Sequence, residues 1–132
     1  MVLAGIVALL TEYGWPLNEK VGNRIYPVLL PEKTAMPAVS YQIVSWTSEP
    51  GFQTAGMQKV RVQFDCFGDT YKQATNVRED MIKLLVGMQG ENLDDGHFLQ
   101  NTELVQSIDF YEQDARQFRC ALELKFLFTF LS

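Results

Sequence analysis

The chain has 132 residues, of which 47% are apolar, and carries a net charge of −5. That length suits a single domain over residues 1–132 with one proper core, and the composition excludes disorder over most of it. The acidic balance, with no Lys/Arg cluster, argues against general nucleic-acid binding, which draws its affinity from cations on phosphates, but not against a protein that lets DNA pass without holding it.

Leu3, Ile6, Val7 and Leu10 recur at helical spacing and define one apolar stripe. This opening lacks a basic leader and a clear cleavage site, so it reads as an amphipathic helix and not a signal peptide. No segment reaches the length of a membrane span. The expectation is a protein made and kept in the cytoplasm. Gly14 and Pro16 are read as the end of the helix, and Arg24–Pro27 as a short extended piece. Pro31 and Pro37 keep the next stretch irregular.

Ala38–Ser48 is the first clear strand, with Val39, Tyr41 and Ile43 alternating with Ser40 and Gln42. Glu49–Met57, holding Pro50, Gly51 and Gly56, is a loop, and its length suggests an extended hairpin arm. Lys59–Gly68 is the second strand: Val60, Val62, Phe64 and Cys66 face one way, Arg61, Gln63 and Asp65 the other. Thr70 and Gln73 stand at capping-box spacing and open a second helix. Its apolar face is drawn from Tyr71, Ala74, Val77, Met81 and Leu84 or Leu85, and Gly87 and Gly90 stop it. Glu91–Asn101 reads as a polar, turn-rich link, Glu103–Tyr111 as a third strand and Gln113–Gln117 as a turn. The cleanest alternation comes last, from Phe118 to Phe130, a long strand with one apolar face. Two hairpins separated by a helix predict an α+β layer fold: an antiparallel four-stranded sheet with two helices packed on one face.

Signals for chemistry are weak. Cys66 and Cys120 sit in strand patterns among apolar neighbours and read as buried, reduced thiols. A disulfide would need neighbouring strands of suitable geometry, which sequence does not show. His97, within Asp94-Asp95-Gly96-His97, fits either a metal or acid–base site or a solvated turn, and the turn chemistry favours the latter. No nucleophile elbow surrounds Ser40, Ser45, Ser48 or Ser107. No phosphate-binding glycine loop is present. Asp65 is expected to pair with a Lys or Arg of a neighbouring strand or subunit.

Surface signals are stronger. Trp46, Phe52 and Met57 put large apolar side chains in or beside the arm, which suits contact with a partner but also suits folding back on the same domain. Leu127 and Leu131 make the second face of the last strand apolar. They fit burial under a helix or under a neighbouring subunit.

The order of short motifs carries a resemblance over nearly the whole chain. Gly22-Asn23-Arg24-Ile25-Tyr26-Pro27 follows the first helix, then Leu30-Pro31. Met36-Pro37-Ala38-Val39-Ser40-Tyr41-Gln42 leads into the first strand. Val60-Arg61-Val62-Gln63-Phe64-Asp65-Cys66-Phe67 comes after the loop, and Thr70-Tyr71-Lys72-Gln73-Ala74 opens the second helix. In this the chain resembles the tail-completion proteins of long-tailed phages, related in role to tail terminators. The resemblance implies a virion structural protein and no enzyme, with no catalytic residues and no cofactor. It implies a homohexameric ring at the head-proximal end of the tail tube, which stops tube growth and docks to the head. The implied partners are copies of itself, the tail tube protein and a head connector or head-completion protein, with DNA only as cargo through the ring and no membrane. An acidic balance suits such a channel. On this reading Trp46, Phe52, Gln53 and Met57 are candidates for intersubunit or tube contacts, and Leu127 and Leu131 for a subunit interface. Arg24, Tyr26 and Pro27 would fix the early extended segment against the sheet. The rivals are a head–tail connector or neck protein, a small dimeric α+β binding module, and a hydrolase around Asp94, Asp95 and His97.

Overall fold

The computed structural model describes residues 6–7, 17–22, 24–48, 57–88, 90–93, 97–114 and 116–130. In chain order the elements are helix α1 (Leu17–Val21), strands β1 (Ile25–Pro27), β2 (Ala38–Ser48) and β3 (Gln58–Gly68), helix α2 (Tyr71–Leu85), and strands β4 (Glu91–Leu93), β5 (His97–Glu112) and β6 (Gln117–Phe130). Ile6 and Val7 are helical as well, and Ile6 is fully buried, as the first apolar stripe requires. Leu3 and Leu10 lie outside the described residues.

The strands form one six-stranded sheet in the order β1-β2-β3-β6-β5-β4. β1 pairs parallel to β2, and every other pair is antiparallel. The strict alternation of β3 and β6 sends Val60, Val62, Phe64 and Cys66, with Cys120, Leu122, Leu124, Phe126 and Phe128, to one face, where all are buried. Helix α2 covers that face with Ala74, Val77, Met81 and Leu85, a spacing that returns once per turn. Leu17 and Val21 of α1 join the same core. Lys20 of α1 donates to Asp80 of α2 at 2.5 Å, an ion pair that joins the two helices.

The α+β class matches the sequence reading, but the sheet differs from the four antiparallel strands expected. β1 falls within the extended piece read over Arg24–Pro27 but was not counted in the sheet, and β4 is new; each has three residues, too few to show an alternation. β5 also begins at His97, well before Glu103, so the link read over Glu91–Asn101 holds β4 and the start of β5. The last difference is α1 itself. Pro16 reads as a stop, but a proline just ahead of a helix costs it little, because the first turn's N–H groups have no partner in the helix anyway.

The start of α2 is built as its sequence indicates. The Thr70 hydroxyl accepts from the Gln73 N–H at 3.1 Å, and the Gln73 side chain accepts from the Asp69 N–H at 2.7 Å. Gly68 allows the approach, since a Cβ there would lie 2.7 Å from the Ala74 nitrogen. Arg24 joins three elements by donating to Lys20 O at 2.7 Å and Pro37 O at 3.0 Å, which fixes β1 between α1 and the start of β2. The Met36–Pro37 peptide is cis.

Candidate assembly surfaces

One polar cluster lies on the helix side, where β5 passes the first turns of α2. Register sets Asp109 beside Cys120. Asp109 accepts from the Tyr71 hydroxyl at 2.5 Å and from Arg78, which also donates to Ser107 at 3.3 Å. The Tyr71 hydroxyl bond, helped by the Arg78 charge, holds the Asp109 carboxyl below its usual range, while the same bond raises the Tyr71 phenol. Burial pushes the Cys120 thiol up to about 11, and burial with help from Cys120 and Asp65 pushes the Cys66 thiol well above the thiol range. A nucleophilic cysteine needs the opposite shift. Each member of the cluster is committed to another member, so its work is to fasten α2 to β5. Tyr71, read as part of the helix's apolar face, is in fact exposed and serves as one of these fastenings.

The other face of the sheet carries no helix among the described residues. It is laced by ion pairs that cross strands: Arg119 to Asp65 at 3.1 Å and to Glu112 at 2.8 Å, Arg61 to Glu123 at 2.5 Å, and Lys125 to Glu103 at 2.9 Å. Asp65 thus finds the strand partner expected for it, and Gln63 also donates to it at 3.0 Å. The Arg119 guanidinium lies 4.4 Å from the Phe110 ring centre, a favourable cation–π placement. Among the described residues no group of three or more His, Cys, Asp or Glu side chains is placed to hold a metal ion.

Exposed apolar side chains gather in two kinds of place. Ile43, Val44 and Trp46 lie on β2, and Leu104, Val105, Ile108, Phe110 and Tyr111 on β5. The second place is a knob after β1. The Leu29 N–H donates to Pro27 O at 2.7 Å around Val28, whose φ is +65°. That is a γ-turn of the rare, strained hand on a β-branched residue. It presents Leu29, which is 77% exposed. Beside the knob lies an open recess of about 300 Å³, lined by Ser40, Asp65, Phe67, Glu112 and Arg119 among others.

Of the residues singled out from sequence, Trp46 is half-exposed. Its indole donates to Gln58 at 3.0 Å and packs edge-on to Phe128 at 5.5 Å, so it leans on its own sheet while keeping a free side. Met57 is half-buried at the foot of β3, and Leu127 is half-buried on the helix-free face, opposite Lys59 and Asn101. Phe52, Gln53 and Leu131 lie outside the described residues, as do Asp94 and Asp95, and His97 is described only as the first residue of β5. Sequence reasoning missed the knob and the exposed residues of β5. The adjacent pair Leu104-Val105 breaks the alternation and was the available signal for β5. Nothing in the local sequence marks the turn at Val28.

Among the described residues, paired charges lace one face, fastenings hold α2 on the other, and the exposed apolar side chains lie mostly on β2 and β5. The chain belongs to the tail completion protein gp17 family, whose model matches residues 16–129. It is a structural protein of a phage-type tail, with its place in the virion tail. No curated protein sequence matches it. Among solved structures, a chain of the virion of the native gene transfer agent particle is 17% identical, with a TM-score of 0.71 over 93% of this chain and 91% of that one. That likeness is one of fold.

Proposed function

We propose that the chain is a subunit that closes into a ring, a hexamer, on the head-proximal end of the tail tube. The ring terminates tube growth and docks to the head connector, and DNA passes through as cargo. The subunit performs no catalysis and needs no cofactor. The observation that carries this reading is family membership over residues 16–129. It is supported by a sheet whose exposed apolar residues concentrate on two strands on either side of the β3–β6 centre. A ring of identical subunits joins two different patches of the same chain, and two flanks supply two patches. In this arrangement the arm after Trp46, with Phe52, Gln53 and Met57, contacts the tube or the next subunit. The Leu29 knob, exposed and apolar, is the candidate contact for the head.

The test is the solution mass of the purified protein by light scattering over a concentration series, with and without purified tail tubes. A hexamer, or a monomer that becomes a ring only on tube ends, is the expected result. A monomer or dimer that ignores tubes overturns the proposal. Order of addition to purified heads or tails separates it from a neck protein. Phe52→Ser combined with Met57→Ser is expected to reduce assembly, and intact infectivity would remove the arm from the interface.

A further inference from the structure

The two flanks of the sheet are stepped. β1 covers β2 only at Val39–Tyr41, and β4 covers β5 only at His97–Leu99. Turn residues cap a little more, with the N–H groups of Val28, Gly87 and Gly90 donating to the carbonyls of Tyr41, Thr102 and Leu99. Among the described residues no strand pairs with the outer edge of β2 over Gln42–Ser48 or of β5 over Glu103–Glu112. Open backbone N–H and C=O groups on an edge are a template for another strand, and proteins that remain alone guard such edges with Lys, Pro, bulges, a covering loop or short length. Neither stretch contains Lys, Arg or Pro. The acidic residues of β5 do not stand guard either. Glu103 is held by Lys125, Asp109 by Tyr71 and Arg78, and Glu112 by Arg119. Eight of the eleven exposed large apolar residues described lie on these two stretches, so among the described residues this is where a cover is missing.

Two further features say what the cover is. β2 and β5 run antiparallel to each other, through β3 and β6. Copies related by rotation about an axis along the strands therefore present β5 of one beside β2 of the next as an antiparallel pair. Each stretch also carries one irregularity, at Val44 and at Val105, and both flank the same rung, Ile43–Val62–Leu124–Leu104. Bulges bend and twist a strand, as a sheet that curves around an axis requires.

We propose that a second copy of this chain occupies these edges. The β5 segment Glu103–Glu112 of one subunit bonds antiparallel to the β2 segment Gln42–Ser48 of the next, joining the sheets head to tail around the ring. This rests on the ring reading above and specifies how the ring closes. The test places Ser45→Cys on β2 and Gln106→Cys on β5, both on the helix-free face, and adds a flexible bismaleimide to the full chain assembled with or without tubes. The native cysteines are buried, and the parent protein is the background control. The double variant is expected to give a ladder of linked species beyond the dimer, and each single variant none. Dimers from one single variant would mean that like edges meet, which overturns the proposal. A ring-forming double variant that gives no ladder overturns it too, while leaving the ring itself intact. No assembly under any condition overturns both. Independently, Val105→Lys is expected to keep the parent's melting transition and lose the ring. A ring that survives it would make the bulges guards of the edge and overturn the pairing.

Discussion

Asp109 stands where a catalytic carboxylate would be sought, beside a cysteine and an arginine, yet its neighbours turn it into an anchor. Its pKa is lowered chiefly by the Tyr71 hydroxyl and then by Arg78. A carboxyl with a folded pKa below its unfolded value, about 3.9, stabilises the fold above that value. The contribution is lost as pH falls through the folded pKa. Tyr71→Phe is therefore expected to move the Asp109 titration up toward the ordinary range. Asp109→Asn should flatten the acid limb of the stability curve. Carboxylate NMR titration and acid unfolding curves read these effects, and an unmoved Asp109 in Tyr71→Phe would break the assignment. Cys66 and Cys120 face each other across β3 and β6, fully buried with raised pKa values. Since the thiolate is the reactive form, neither should react with dithiobis-nitrobenzoate until the chain is unfolded. A prompt equivalent of reacting thiol in native protein would contradict the packing. Val28 is the one strained β-branched residue described in a turn, at φ +65°. Relief of about 1–3 kcal/mol of strain, against about 0.5–1 kcal/mol of glycine entropy, makes Val28→Gly stabilising by roughly 1 kcal/mol. The check is a higher denaturant midpoint at unchanged slope.

At the scale of elements, what was legible followed from length and period. β2 runs Ala38–Ser48 as its alternation indicates, and α2 is bounded by its cap and the glycines behind it. β3 and β6 were readable because residues two apart share a face and one face is entirely apolar. α1, β1 and β4 span five, three and three residues, less than is needed to display a period. Arg24, expected from the family resemblance to fix this segment against the sheet, bridges Lys20 and Pro37 beside the parallel β1–β2 pair, a tertiary contact that no local pattern shows. β5 was read short because its bulges, at Leu99/Asn101 and Leu104/Gln106, shift the alternation twice. The candidate surfaces were partly legible for the related reason that an exposed residue obeys no packing rule. Trp46 could be named, whereas Ile108 and Phe110 look like any apolar strand positions until the helices are found on the other face. β5 also holds a flaw that can be tested. Thr102 is 2% exposed, and its hydroxyl has no hydrogen-bond partner among the described residues. A buried unpaired hydroxyl costs free energy, and replacing it by a methyl of similar shape removes that cost. Thr102→Val is expected to be neutral or more stable by about 1 kcal/mol. A loss beyond that would show that the hydroxyl has a partner after all.

For the molecule as a whole, the helix-covered face and the exposed residues do different work, and the two can be separated by experiment. The core is one cluster running from Ile6 and Val21 through Phe64 and Phe126 to Leu85, so a cavity anywhere in it is felt by sheet and helices together. Phe126 is fully buried and packs edge-on to Phe64 at 6.4 Å. Phe126→Ala should cost about 3–5 kcal/mol, a large share of the roughly 5–15 kcal/mol that holds such a domain folded. It should lower the melting temperature and reduce every assembly activity in proportion to the folded fraction. Leu29, exposed on the knob, should behave in the opposite way. Leu29→Ser is expected to leave unfolding within about 0.5 kcal/mol of the parent, and its ring mass unchanged, while tails carrying it join heads less often. Joining assays with purified heads and tails, read beside melting curves of the same preparations, distinguish the two patterns. If Leu29→Ser joined heads as the parent does, the knob would have no role in docking. If it lowered stability as Phe126→Ala does, Leu29 would belong to the core and not to a surface made for a partner.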